Sequence, residues 1–148
     1  MSLESNISEL RPWLQTYIDR LSPSERKKLM RKIAQNLAKA NRQRMAKQQS
    51  PDGETWQERK PQRDAKSNRN KLFVKLRQAK SLRKRVQGNR IIVGFNGSAG
   101  RIARIHHYGL RERLQYGEAD YPVRELIGII DDDKKMTEQT ILGHIEGD

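Results

Sequence analysis

The chain has no cysteine among its 148 residues, which excludes disulfide scaffolds, thiol nucleophiles, iron–sulfur clusters and cysteine-ligated zinc. Aromatic residues are scarce at 5%, and hydrophobic residues reach only 34% against 33% charged, a thin supply of core for one domain of this length. No run approaches the roughly 18 to 20 apolar residues needed to span a bilayer. The start, Met1-Ser2-Leu3-Glu4, lacks the basic and then apolar order of a secretory leader. The expectation is a soluble protein made in the cytosol, with no membrane partner. Acids are the scarce charge, 18 Asp and Glu facing 31 Lys and Arg for a net +13, so a polyanion or an acidic protein surface is the natural partner class.

The charge is ordered along the chain. Residues 20 to 113 carry 27 Lys and Arg against 6 acids, whereas residues 114 to 148 carry nine acids against Arg124, Lys134 and Lys135. A basic body followed by an acidic tail fits either contact with a polyanion or self-assembly in which the body of one copy meets the tail of another.

Leu3, Ile7, Leu10, Leu14, Tyr17 and Leu21 recur at helical spacing. Pro12 would break such a helix, so a regular helix is expected from about Arg11 with a separate turn before it. Ser22-Pro23-Ser24-Glu25 supplies a cap, a proline at the first helical position and a capping-box acid. The second helix then runs to about Lys47, with Leu29, Ile33, Leu37 and Ala40 as its apolar stripe and Met30 beside it, completing a helical hairpin over 1–47. Residues 48–70 form a polar connection around Pro51-Asp52-Gly53, in which Trp56 alone has a large apolar side chain and is the expected structural anchor. The remainder, 71–148, is an α+β body. It comprises a short helix on Leu72, Phe73, Leu76 and Ala79 and a β-hairpin of 82–86 and 90–95. A further short helix follows through Ile102, Ala103 and His106 to Gly109, then a polar loop over 110–120, an apolar return from Tyr121 to Ile130, and a last helix after Asp131. One domain over 1–148 is expected: an N-terminal helical hairpin, a small antiparallel sheet with short helices, and a C-terminal helix.

Sites of chemistry are few. Pro51-Asp52 with Glu58-Arg59-Lys60 spells the carboxylate and lysine pattern of a metal-dependent nuclease, but the short spacing within a polar, turn-rich segment suits an Asp52-stabilised turn better. Asp131-Asp132-Asp133 at a helix start diverge, as helix-dipole partners do and convergent metal ligands do not. His106 and His107 point about 100° apart on a helix and cannot chelate one ion. They read as packing or interface histidines. The glycine-rich 94–100 turn lacks the Gly-Lys-Ser/Thr ending of a phosphate loop. No catalytic residue, metal or cofactor is expected. Arg26, Lys27, Lys28, Arg31, Lys32, Arg42 and Arg44 are candidates for nonspecific nucleic-acid contact through phosphates.

The order Pro51-Asp52-Gly53-x-x-Trp56, Val93-Gly94-Phe95, Gly100-Arg101-Ile102-Ala103-Arg104-Ile105-His106-His107-Tyr108-Gly109 and Tyr121-Pro122-Val123-Arg124-Glu125-Leu126-Ile127-Gly128 closely resembles the phage virion morphogenesis, or tail completion, family of contractile-tailed phages. The resemblance extends over most of the chain. It implies a non-enzymatic structural protein, made in host cytoplasm, that finishes the head-proximal end of the tail for joining to the head and works as an assembled part of the virion tail or neck. Tail proteins at that end and head–tail connector proteins are the partners it implies. A homo-oligomeric ring suits both this role and the split charge. Arg and Tyr combine apolar area with directed hydrogen bonds, and this favours an assembly interface at Arg101, Arg104, His106, His107, Tyr108, Tyr121, Arg124 and Glu125. Ile102 and Ala103 are expected to pack inward. The competing class is a nonspecific nucleic-acid-binding accessory protein.

Overall fold

The computed structural model describes residues 1–6, 11–58 and 71–147. Its elements are β1 (Ser2–Asn6), α1 (Pro12–Arg20), α2 (Pro23–Ala46), β2 (Leu82–Gln87), β3 (Arg90–Phe95), α3 (Gly97–Tyr108), β4 (Arg111–Leu114), β5 (Gly117–Asp120) and α4 (Asp131–Ile145). This is an α+β arrangement, with N-terminal helices, two small sheets and a C-terminal helix. Packing divides it into two compact units threaded by the same chain. One contains Met1, Asn41–Arg83 and Gly94–Gly128; the other contains Ser2–Ala40, Lys84–Val93 and Ile129–Asp148.

In the second unit, α1 opens with Pro12 in its first turn and buries Leu14 and Ile18. The start of α2 follows its capping sequence: Ser22 Oγ accepts the Glu25 backbone N–H at 3.2 Å. Leu29, Met30, Ile33, Ala34, Leu37 and Ala38 are buried, a wider stripe than four positions and the one expected of a helix facing a core. Arg26 folds back, its Nε donating to Ile18 O at 3.3 Å and its Nη2 to Asp19 O at 3.0 Å, which serves carbonyls left open at the end of α1. Strand β3 lies between β1 and β2, with Ile91 and Val93 buried on its inner face. On α4, Asp133 accepts the Ile130 N–H at 3.1 Å and Ile141 is buried. Tyr17 and His144 pair at 2.8 Å, and Asn36 Nδ2 donates to Thr140 Oγ1 at 3.1 Å.

The first unit is built around Met45, Trp56, Leu76, Leu82, Phe95, Ala103, Leu126 and Ile127, all buried. Gly109 ends α3 at φ 63°, a left-handed conformation that suits glycine. Its Cα is also approached so closely that a Cβ there would stand 2.9 Å from the Val123 nitrogen. The β4–β5 hairpin pairs Arg111 with Asp120 and Glu112 with Ala119.

Three expectations are corrected. Residues 2–6 form a strand instead of a turn, because β3 offers them a hydrogen-bonding edge; Ile7 and Leu10 lie outside the described residues. The segment 71–80 is a succession of turns instead of a helix, with Phe73 at φ 61°. Residues 111–120 form a hairpin instead of a loop, held across its strands by charge: Arg111 Nε meets Asp120 at 2.8 Å and Arg111 Nη1 meets Glu118 at 3.2 Å. The 59–70 part of the polar connection, including Arg59 and Lys60, lies outside the described residues.

Candidate assembly site

The motif segments from α3 and from 121–128 meet in the first unit. Segment 121–128 has no helix or strand bonding of its own, so its polar backbone groups need partners from elsewhere. From Arg124 on, the N–H groups find them at alternate residues. Arg124 N donates to His106 O at 2.9 Å, and Leu126 N donates to His107 Nδ1 at 3.1 Å. Glu125 O accepts from Trp56 Nε1 at 2.9 Å. Gly128 N donates to Asn41 Oδ1 at 2.9 Å, and Gly128 O accepts from Arg44 Nη2 at 3.0 Å. Gly128 also has to be a glycine because Pro51 sits where a side chain would begin, with carbons 2.7 Å from a Cβ placed there.

Trp56, Phe73, His106 and Tyr121 form a ladder of rings with successive centroid separations of 5.4, 4.8 and 4.4 Å. His106 is half-buried and its Nδ1 has no hydrogen-bond partner among the described residues. Burial, and then the nearby Arg124 cation, push its pKa below the ordinary imidazole value, with Glu112 opposing. His107 is lowered as well, by burial first, with Glu125 opposing. Tyr121 donates its hydroxyl to Glu112 at 2.8 Å; that bond, more than burial, raises the phenol pKa.

The eight interface candidates divide by exposure. Arg101, Arg104, Tyr108 and the Glu125 side chain are exposed, and Tyr108 most fully among the large apolar groups of α3. His106, His107 and Tyr121 are partly covered by the packing just described. Arg124 is only 6% exposed and is turned to internal work: its Nε donates to Gln57 O at 2.8 Å and its Nη2 more distantly to Glu58 O at 3.4 Å. Among the interface candidates Arg124 is thus the one whose side chain is turned inward. The expectation that Ile102 packs inward is corrected, since it is 41% exposed while Ala103 is fully buried. Position 103 faces the core, and 102, about 100° around the helix, does not.

Trp56 is buried, its ring edge-to-face with Phe73 and its N–H satisfied. Asn41 and Arg44 were not read as supports of this site, although the signal existed: Asn41 falls four residues after Leu37 and four before Met45, a polar residue on the buried stripe of α2.

The basic candidates are also divided. Lys27, Lys28, Arg31 and Lys32 are exposed in the second unit. Arg26 is engaged with the end of α1. Arg42 and Arg44 belong to the first unit, where Arg44 clamps Gly128. The acids read as a turn residue and as helix-dipole partners make such bonds: Asp52 accepts the Glu54 N–H at 3.1 Å, and Asp133 serves the α4 start. Among the described residues no group of three His, Asp or Glu could hold a metal ion.

The sequence pattern of the phage virion morphogenesis family matches residues 5–146. The chain is 33% identical over 135 residues to tail completion protein S of Escherichia phage P2, an alignment that covers 87% of this chain and 90% of that relative. No solved structure matches it.

Proposed function

This chain belongs to the phage virion morphogenesis family, and we propose that it acts as a tail completion protein, a structural and non-enzymatic part that finishes the head-proximal end of the tail so that the tail can join the head. The observation that carries this reading is the likeness to the P2 tail completion protein, which extends over nearly the whole of both chains. The site supports it. A segment whose backbone is clamped is stiff, and a surface built on it and on α3, which presents Arg101, Arg104 and Tyr108, can dock repeatedly with little backbone reordering.

Its partners are tail proteins at that end and head–tail connector proteins, with further copies of the chain in a ring. Its place is the host cytoplasm during assembly and then the tail or neck of the particle. Among the described residues no helix is long and apolar enough to cross a membrane. Electron microscopy of particles made without the protein tests the reading: full heads and unjoined tails are expected, and joined particles would contradict it.

The second reading, nonspecific contact with nucleic acid, is favoured by the four exposed cations Lys27, Lys28, Arg31 and Lys32 within two turns of α2. They would contact phosphates by counterion release, without reading bases.

A further inference from the structure

The first unit contains a cleft of about 830 Å³ that the motif residues do not fill. It is lined by a face of α3, on which Ala99, Ile102 and His106 recur at helical spacing, by the turn segment with Phe73 and Val74, and by Tyr121-Pro122. Ile102 and Val74 remain 41% and 37% exposed, so among the described residues the cleft offers open apolar surface. The rim is basic, with Lys71, Lys75 and Lys80 lining it. Of the two acids there, Asp120 is already bound by Arg111 at 2.8 Å, leaving Glu58.

The second unit carries the complementary surface. Leu142 and Ile145 lie three residues apart on α4 and therefore on one side of it, at 37% and 40% exposure. Exposed Glu146 follows, and residues 131–148 hold six acids against Lys134 and Lys135. An aliphatic pair beside an acid suits an apolar cleft flanked by lysines. We propose that this cleft receives the C-terminal turn of α4 from a second copy of the chain, with Leu142 and Ile145 against its apolar lining and Glu146 at the lysines. Because the two surfaces differ, the contact is heterologous: each copy offers one cleft and one helix end, and repetition produces a ring or an open chain, not a closed pair. The inference rests on the reading of the protein as a self-assembling tail part and names the surfaces that do the assembling.

Sedimentation velocity on the full-length protein tests it. One variant fills the cleft, Ala99→Trp; the other removes the apolar pair, Leu142→Ser with Ile145→Ser. The wild type is expected to form species larger than dimers, and each variant alone to sediment as monomer. An equimolar mixture is expected to stop at a dimer, because one intact cleft can meet one intact helix end and neither can continue. If Ala99→Trp loses the circular dichroism of the native fold, Lys71→Glu with Lys75→Glu replaces it in the same mixture. A wild type that stays monomeric across the concentration series, variants that assemble like wild type, or a mixture that forms nothing or grows beyond the dimer overturns the proposal. Head joining without this protein would remove the tail completion reading and leave the sedimentation result untouched, so the two failures are distinguishable.

Discussion

The Nδ1 of His107 accepts the backbone N–H of Leu126 at 3.1 Å, so the imidazole holds the 121–128 segment only in its neutral form, with the ring proton on Nε2. Burial lowers the pKa of both His107 and His106, whereas the unfolded chain keeps the ordinary value near 6.5. The unfolded state therefore takes up these protons first as pH falls. Stability from the neutral rings is complete above about pH 6.5 and is lost as pH falls through the lowered folded values. Thermal unfolding followed from neutral to mildly acid pH should show this loss. His107→Asn, which keeps an acceptor oxygen near Nδ1 but does not titrate, should flatten the acid slope, and an unchanged slope would place the sensitivity at other groups.

Trp56 joins the aromatic ladder to the Glu125 carbonyl. Trp56→Ala removes a buried ring and its hydrogen bond and should cost about 3 to 5 kcal/mol in urea denaturation. Trp56→Phe preserves apolar area but leaves the carbonyl without its donor, for about 1 to 3 kcal/mol. Because Trp13 is half-exposed, tryptophan emission in either variant should shift to the red. Emission and stability equal to wild type would contradict the anchoring role.

Arg124 and Tyr108 should separate fold from assembly. Arg124→Ala leaves the Gln57 carbonyl without its donor and should destabilise the protein by about 1 to 3 kcal/mol. Tyr108→Ala alters an exposed position and should shift stability by less than about 0.5 kcal/mol, while reducing tail completion in a complementation assay. Full complementation by Tyr108→Ala would remove that residue from the docking surface.

Contact with DNA, if α2 makes it, depends on Lys28, Arg31 and Lys32. Their triple replacement by alanine should lower the slope of log affinity against log salt by about three. Arg26→Ala should chiefly lower stability, because that side chain serves the end of α1. A triple variant with the wild-type slope would take these residues out of the contact.

What the sequence revealed and what it hid follow from the range of the interactions. The start of α2 is written locally in Ser22-Pro23-Ser24-Glu25, and the end of α3 in a glycine at φ 63°. The β2–β3 hairpin is legible from Ile91, Val93 and Phe95 alternating toward the interior. In contrast, Phe73 sits at φ 61° with its ring between Trp56 and His106, and that long-range ring packing overrides the helical spacing of Leu72, Phe73, Leu76 and Ala79. The β4–β5 hairpin has no alternating apolar face to announce it, being joined by Arg111 with Asp120 and Glu118. Arg124 meets Gln57 across 67 residues, a separation at which no local pattern reports that a cation is buried. The docking role proposed for Arg101, Arg104 and Tyr108 rests on the family motif and residue chemistry, and the fold adds that these side chains are exposed.

The central claim is that this protein completes the tail, and the most direct measurement is in vitro head joining. Tails and filled heads are purified from cells lacking the protein, mixed with and without the purified wild type, and scored by electron microscopy and by infectious titre. Joined particles and restored titre only when the protein is added are predicted; equal joining without it would contradict the account.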